Sequence, residues 1–173
     1  WVKRDAATAN LATIVSKQNS NVAGNYILYV GADGKPGLYR ETSPYDPSII
    51  ATTALPLNEW HHIAGVFDGS SLKIYIDGAL NNSKSQSLSI TSNSNISTLK
   101  VAIGASFISS VPAYLFNGSI DEARIWNVAR TATQIQQAKD SALNGNETGL
   151  VAYYNFNQGV AEGNNTAVTS IAN

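Results

Sequence analysis

Leu57-Asn58-Glu59-Trp60-His61-His62-Ile63-Ala64-Gly65-Val66-Phe67-Asp68-Gly69-Ser70-Ser71-Leu72-Lys73-Ile74-Tyr75-Ile76-Asp77-Gly78 is the stretch that decides the fold. Two apolar runs flank Asp68-Gly69-Ser70-Ser71, a group of residues with turn chemistry. In the second run Leu72, Ile74 and Ile76 fall on one face while Lys73, Tyr75 and Asp77 fall on the other, which is the period of a half-buried strand. The spacing predicts an antiparallel hairpin with one face in a core and the other wet.

The same grammar extends outward. Strand-like runs occupy Leu11 to Lys17, Tyr26 to Val30, Gly37 to Arg40, Ser48 to Thr53, Leu99 to Gly104, Ser119 to Trp126 and Leu150 to Phe156. They are separated by turn-forming segments such as Ala32 to Gly37, Asp77-Gly78 and the Ser/Asn-rich stretch Asn81 to Asn95. Many short strands at close spacing predict a sandwich or barrel. One helix is expected: Thr131 and Gln134 form a capping box, Ile135, Ala138 and Ala142 recur at helical spacing, and Asn144-Gly145 offers a stop. Its apolar stripe is small, so it should lie against the sandwich. The division expected is one β-domain over residues 1–157 and a polar tail or linker over 158–173.

Length and composition narrow the function classes. The chain has 173 residues, the size of one domain, and 43% hydrophobic residues suffice for a core. A formal charge of -1 supplies no field to gather nucleic acid, and no apolar run is long enough to insert in a membrane. The absence of cysteine excludes disulfides, thiolate metal sites and a cysteine nucleophile. Only 13% of residues are charged, whereas Asn, Ser and Thr fill 49 positions, a neutral-polar surface of the kind found in extracellular and cell-surface β-proteins. With no disulfide to staple it, such a domain points to a bacterial source. Trp1-Val2-Lys3 resembles the end of a strand, and the chain is expected to be a piece of something longer.

Taken in order, the hairpin stretch, then Phe116-Asn117-Gly118-Ser119-Ile120-Asp121-Glu122-Ala123-Arg124-Ile125-Trp126, then Gly149-Leu150-Val151-Ala152-Tyr153-Tyr154-Asn155-Phe156 resemble the laminin-G-like, or concanavalin-A-like, jelly-roll superfamily in its bacterial branch. The resemblance implies an all-β, two-sheet antiparallel jelly-roll sandwich carrying one short helix. It also implies a non-catalytic recognition or adhesion module that binds glycan, polysaccharide or another extracellular protein. Domains of this kind begin with a further strand upstream of the Trp-Val-Lys position, so an open sheet edge near Trp1, available for assembly or self-association, is the structural alternative.

Enzymatic hydrolysis is the weaker alternative. Glycoside hydrolysis needs two carboxyls facing one another across a sugar, and Asp121-Glu122, the nearest pair, place their side chains on opposite faces of a strand. No catalytic residue is therefore assigned. His61 and His62 also point apart and lack a third ligand at zinc-like spacing, so one is expected to pack near Trp60 and the other to face the opposite surface. Glu122, Arg124 and Trp126 alternate along one face, where acid and base can pair beside the indole. Sugar recognition calls for an aromatic platform flanked by hydrogen-bonding side chains, and Tyr39, Arg40, Tyr45, Asp46, Phe107 and Tyr114 are the candidates. Calcium is the metal associated with this fold, and a single ion held by one or two carboxylates and carbonyls would draw on Asp33 and Asp46.

Overall fold

The computed structural model describes residues 1–17, 26–40, 48–85, 99–108 and 110–158. In chain order its strands are β1 Val2–Arg4, β2 Ala12–Lys17, β3 Tyr26–Val30, β4 Pro36–Arg40, β5 Ser48–Ile50, β6 Trp60–His61, β7 Ile63–Phe67, β8 Ser71–Ile76 and β9 Ala79–Ser85. There follow β10 Ala102–Ile103, β11 Ser106–Ile108, β12 Val111–Ala113, β13 Gly118–Ile120 and β14 Ala123–Trp126, then the helix α1 Ala132–Ala138 and the last strand, β15 Leu150–Tyr154. All strand pairings are antiparallel.

Two layers enclose the core. One is the five-stranded sheet β10-β2-β3-β4-β5; the other comprises β7-β8-β9, β13-β1-β6 and β14-β15. Leu38, Ile49 and Ala51 of the first layer meet Leu72 and Ile74 of the second, while Ile14, Val15 and Val30 meet Val2 and Ile63. Leu72, Ile74 and Val30 have no exposed surface, so burial of each contributes about 2 kcal/mol. At one margin asparagine side chains bridge the layers: Asn82 Nδ2 donates to the Ile50 carbonyl at 2.8 Å, and Asn81 Oδ1 accepts from the Thr52 amide at 2.7 Å.

The deciding hairpin forms as β7 and β8, with Phe67 opposite Leu72 and Ile63 opposite Ile76. Asp68 fixes its turn, since Oδ1 accepts the Ser70 and Ser71 amides at 2.9 and 2.8 Å and Oδ2 meets Lys73 Nζ at 2.6 Å. The Lys73 bond, then those of Ser70 and Ser71, hold this carboxyl far below the ordinary range. The wet face needs one correction: Tyr75 is buried, because α1 lays Ile135 over Tyr75 and Val66. The expected capping box is present, with Gln134 N donating to Thr131 Oγ1 at 3.2 Å and Thr131 N donating to Gln134 Oε1 at 3.0 Å.

Other boundaries shift for identifiable reasons. The helix ends at Ala138 rather than near Asn144. Donors from the sheet take the carbonyls beyond that point: Arg124 bonds Ala138 O and Ser141 O, and Trp1 Nε1 bonds Lys139 O. The Asn81 stretch begins as strand β9 because Asn82 pairs with Ile74 across the sheet. Phe107 lies in a small hairpin, β11 and β12, instead of a loop. The run from Ser119 divides at Glu122, whose φ of 52° inserts one extra residue; Ile120, Ala123 and Ile125 thereby all reach the core.

Strand β1 itself is not an open edge. β1 is an interior strand, with Val2 opposite Ile120 on one side and His61 on the other, so both of its edges are already bonded within the chain. Its Arg4 is buried and donates through Nη1 to the Leu55 carbonyl at 2.9 Å. Beside it Gly34, at φ 80°, completes the turn between β3 and β4 in a conformation a side chain would strain.

Candidate functional site

The alternation of β3 and β4 assigns their side chains to opposite surfaces. Leu28, Val30 and Leu38 point into the core, which turns Ile27, Tyr29, Gly37 and Tyr39 to the outer face of the five-stranded sheet. Tyr29 is directly opposite Gly37, and its ring lies over that glycine: a Cβ there would sit 2.4 Å from Tyr29 Cζ. Tyr39 is the diagonal neighbour of Tyr29 on the same face, about 7–8 Å away along the sheet. Both rings are half-buried, and Ile50, opposite Gly37 on the next strand, is 48% exposed. Burial, followed by the charge of Asp33, raises the Tyr29 phenol above its ordinary range, so it stays protonated and able to donate. The result is a neutral strip of two phenols and a branched aliphatic residue with a carboxylate at one end.

The residues singled out from sequence do not form one group. Tyr39 lies on this strip. Arg40 follows it in the strand and points the opposite way, into the space between the layers, where its guanidinium rests 4.6 Å above the Phe67 ring. Phe107 sits in β11 opposite Pro112. Tyr114 is 39% exposed with φ 52°, and its carbonyl accepts the Thr13 amide at 2.9 Å, which ties it to the far side of β2. Tyr45 and Asp46 lie outside the described residues. Tyr29 was not singled out, although Gly37 at an alternating position within an apolar strand was a signal that a partner ring lies across it.

Asp33 is engaged within its own turn. Its Oδ1 accepts the Lys35 amide at 3.1 Å, its Oδ2 lies 3.8 Å from Lys35 Nζ, and among the described residues no three His, Asp or Glu side chains gather to hold a metal. The acid pair Asp121 and Glu122 is likewise committed to structure. Glu122 Oε2 accepts from Arg124 Nη2 at 2.7 Å and from the Tyr153 hydroxyl at 2.6 Å, and Asp121 Oδ1 accepts the Glu122 amide at 2.8 Å. The acid and base of this segment do pair, but the Trp126 indole stacks with Arg130, 4.2 Å from the ring, in place of Arg124. His61 Nδ1 bonds Asp77 Oδ2 at 2.8 Å, and His62 packs edge-on against Trp1 rather than Trp60. Burial, with the nearby amino terminus and Arg124, lowers His62 to about 4.

With two layers and this register in place, the family can be read from the chain: residues 1–136 match the model of the concanavalin A-like lectin/glucanases superfamily. The chain belongs to that superfamily. Among solved structures the chain is similar to a candidate carbohydrate binding protein from Bacteroides ovatus, 22% identical, with a TM-score of 0.69 over 91% of this chain and 44% of that one. The chain therefore spans less than half the length of that relative. The CBM40 domain of a Ruminococcus gnavus IT-sialidase is 19% identical, with a TM-score of 0.57 over 69% of this chain and 68% of its own, and it has also been solved bound to α2,3 sialyllactose. A SAP-like pentraxin from Limulus polyphemus is 19% identical with a TM-score of 0.53 over 78% of this chain and 64% of its own. At these identities the likeness is one of fold. No curated protein matches the sequence. Among the described residues, no helix is long and apolar enough to cross a membrane.

Proposed function

We propose that this chain is a non-catalytic, extracellular recognition module of a bacterial secreted or surface protein, and that it binds glycan or polysaccharide on the outer face of the five-stranded sheet. The observation that carries this reading is the Tyr29 ring held over Gly37 with Tyr39 diagonal to it. Apolar sugar faces stack on aromatic rings, and the Tyr29 phenol and Asp33 offer hydrogen bonds to hydroxyls. Two solved relatives, one named as a candidate carbohydrate binding protein and one bound to sialyllactose, support the ligand class. The commitment of Glu122 to Arg124 and Tyr153 supports a module without hydrolytic chemistry.

The test is a broad glycan array that includes sialyllactose and neutral polysaccharides, followed by calorimetry on the hits. Tyr29→Ala and Tyr39→Ala are each expected to weaken binding at least tenfold while the melting temperature moves by only a few degrees. Silence across the array, or hits indifferent to both substitutions, overturns the reading.

A further inference from the structure

The alternation of β1 builds a second aromatic surface, on the layer opposite the Tyr29 strip. Val2 and Arg4 are buried, whereas Lys3 is half-buried and Asp5 exposed, so Lys3 and Asp5 stand on the outer face of their sheet. The register continues that face sideways. Lys3 lies between Trp60 of β6 and Ser119 of β13, and one step further along the Asp5 amide donates to the Asn117 carbonyl at 3.1 Å. Directly opposed residues of an antiparallel pair have Cβ atoms about 5 Å apart. Trp60, Lys3 and Ser119 therefore form one row, with Asp5 and Asn117 beside it at the margin of the sheet. A Cβ at Gly118 would collide with the Lys3 carbonyl, so glycine there lets β13 lie flush against β1 and keeps its two neighbours on this ledge.

The indole of Trp60 differs from the other two in being open. Trp1 packs edge-on against His62 and donates to the Lys139 carbonyl, and Arg130 sits 4.2 Å above the Trp126 ring. Trp60 is 45% exposed, and among the described residues no ring or cation rests on it. The groups around it are available too. Among the described residues no hydrogen bond engages the Asn117 carboxamide or the Ser119 hydroxyl, and Lys3 Nζ lies 3.9 Å from Asp5 Oδ1, a loose and accessible pair. A single exposed aromatic residue is ordinary on a protein surface. One bordered by an ammonium, a carboxylate, an amide and a hydroxyl has the make-up of a platform.

We infer that this ledge is a second saccharide site, where a pyranose unit of a neutral oligosaccharide stacks on the Trp60 indole and its hydroxyls bond Lys3, Asp5, Asn117 and Ser119. The apolar face of a pyranose matches the indole, and hydroxyls that both donate and accept match the groups around it. Lys3 and Asp5 cancel in charge, which favours a neutral sugar over an acidic one. A protein partner is a poor match, because a stable interface engages about 20–30 residues a side around an apolar centre, far more than this small and mostly polar ledge offers. The inference extends the glycan-binding reading to the other layer and rests on that reading for its ligand class. With one ring in place of two, the ledge is the weaker site, with a Kd of about 1 mM.

The test titrates cellohexaose, mannohexaose and maltohexaose, each to about 10 mM, and follows tryptophan emission beside calorimetry. Tyr29, Tyr39 and Ile50 form the strip without a tryptophan, so emission reports the ledge. At least one of the three sugars is expected to shift the emission several nanometres to the blue, equally in the unaltered chain and in Tyr29→Ala/Tyr39→Ala. Trp60→Ala should lose the shift, and Ser119→Ala should weaken the affinity about threefold. Emission indifferent to all three sugars overturns the inference, as does a shift that survives in Trp60→Ala or one that vanishes in the tyrosine variant. Calorimetric binding that depends on the two tyrosines reports the strip, so failure of the ledge and failure of the strip are read separately.

Discussion

The outer strip around Tyr29 and the cavity between β7 and β14 are built from the same alternating strands and differ in what is left unsatisfied. On the strip β3 is paired on both sides and β4 is paired with β3 throughout and with β5 along Gly37–Tyr39, and what faces outward is side chain, with the Tyr29 ring over Gly37. In the cavity the side chains are core, and what remains open is backbone. A finished sheet with aromatic rings on its surface suits a ligand that brings hydroxyls and apolar faces.

That contrast can be broken most forcefully at Arg124, which ties β14 to the end of α1. Arg124→Met removes the bonds to Ala138 O, Ser141 O and Glu122, leaves a half-buried carboxylate without its cation, and is expected to cost about 3–5 kcal/mol in urea unfolding. Glycan affinity of the folded protein should not change; a parallel loss would mean that the two regions are not separate.

A smaller effect comes from pH. His62 is neutral in the folded chain and protonates only near 4, against about 6.5 when unfolded, so its contribution is complete above pH 6.5 and is lost as pH falls from 6.5 to 4. The loss amounts to about 3 kcal/mol. Urea titrations at several pH values should show this loss, and His62→Gln should flatten it.

The smallest effect on stability sharpens the contrast most. Gly37→Ala puts a methyl where the Tyr29 ring now lies, 2.4 Å from Cζ, and the ring, a movable side chain, must swing away. Unfolding free energy is expected to fall by only about 1 kcal/mol, as for other single-methyl overpacking, while glycan binding drops as far as it does in Tyr29→Ala. Calorimetry that shows unchanged binding would disconnect the platform from recognition.

Much of the architecture was legible in local pattern. Leu72, Ile74 and Ile76 announced a strand by period two, Asp68 and Gly69 announced its turn, and Thr131 with Gln134 announced the helix start, because each signal lies within a few residues of its consequence. The site was less so. Tyr39 was found as an aromatic residue, but Arg40 was grouped with it although strand alternation parts them, and Tyr29 went unmarked because its meaning depends on Gly37 across the sheet.

By itself, then, the sequence of this chain determined the β2–β4 and β7–β8 strands, where the hairpin turns and where the helix begins, since periodicity and capping act over one or two turns of backbone. Tertiary structure alone decided that Tyr75 is roofed by Ile135, that β1 is an interior strand and that Tyr29 lies on Gly37. Each of these depends on the pairing partner and register of residues distant along the chain, which no local pattern of side chains encodes.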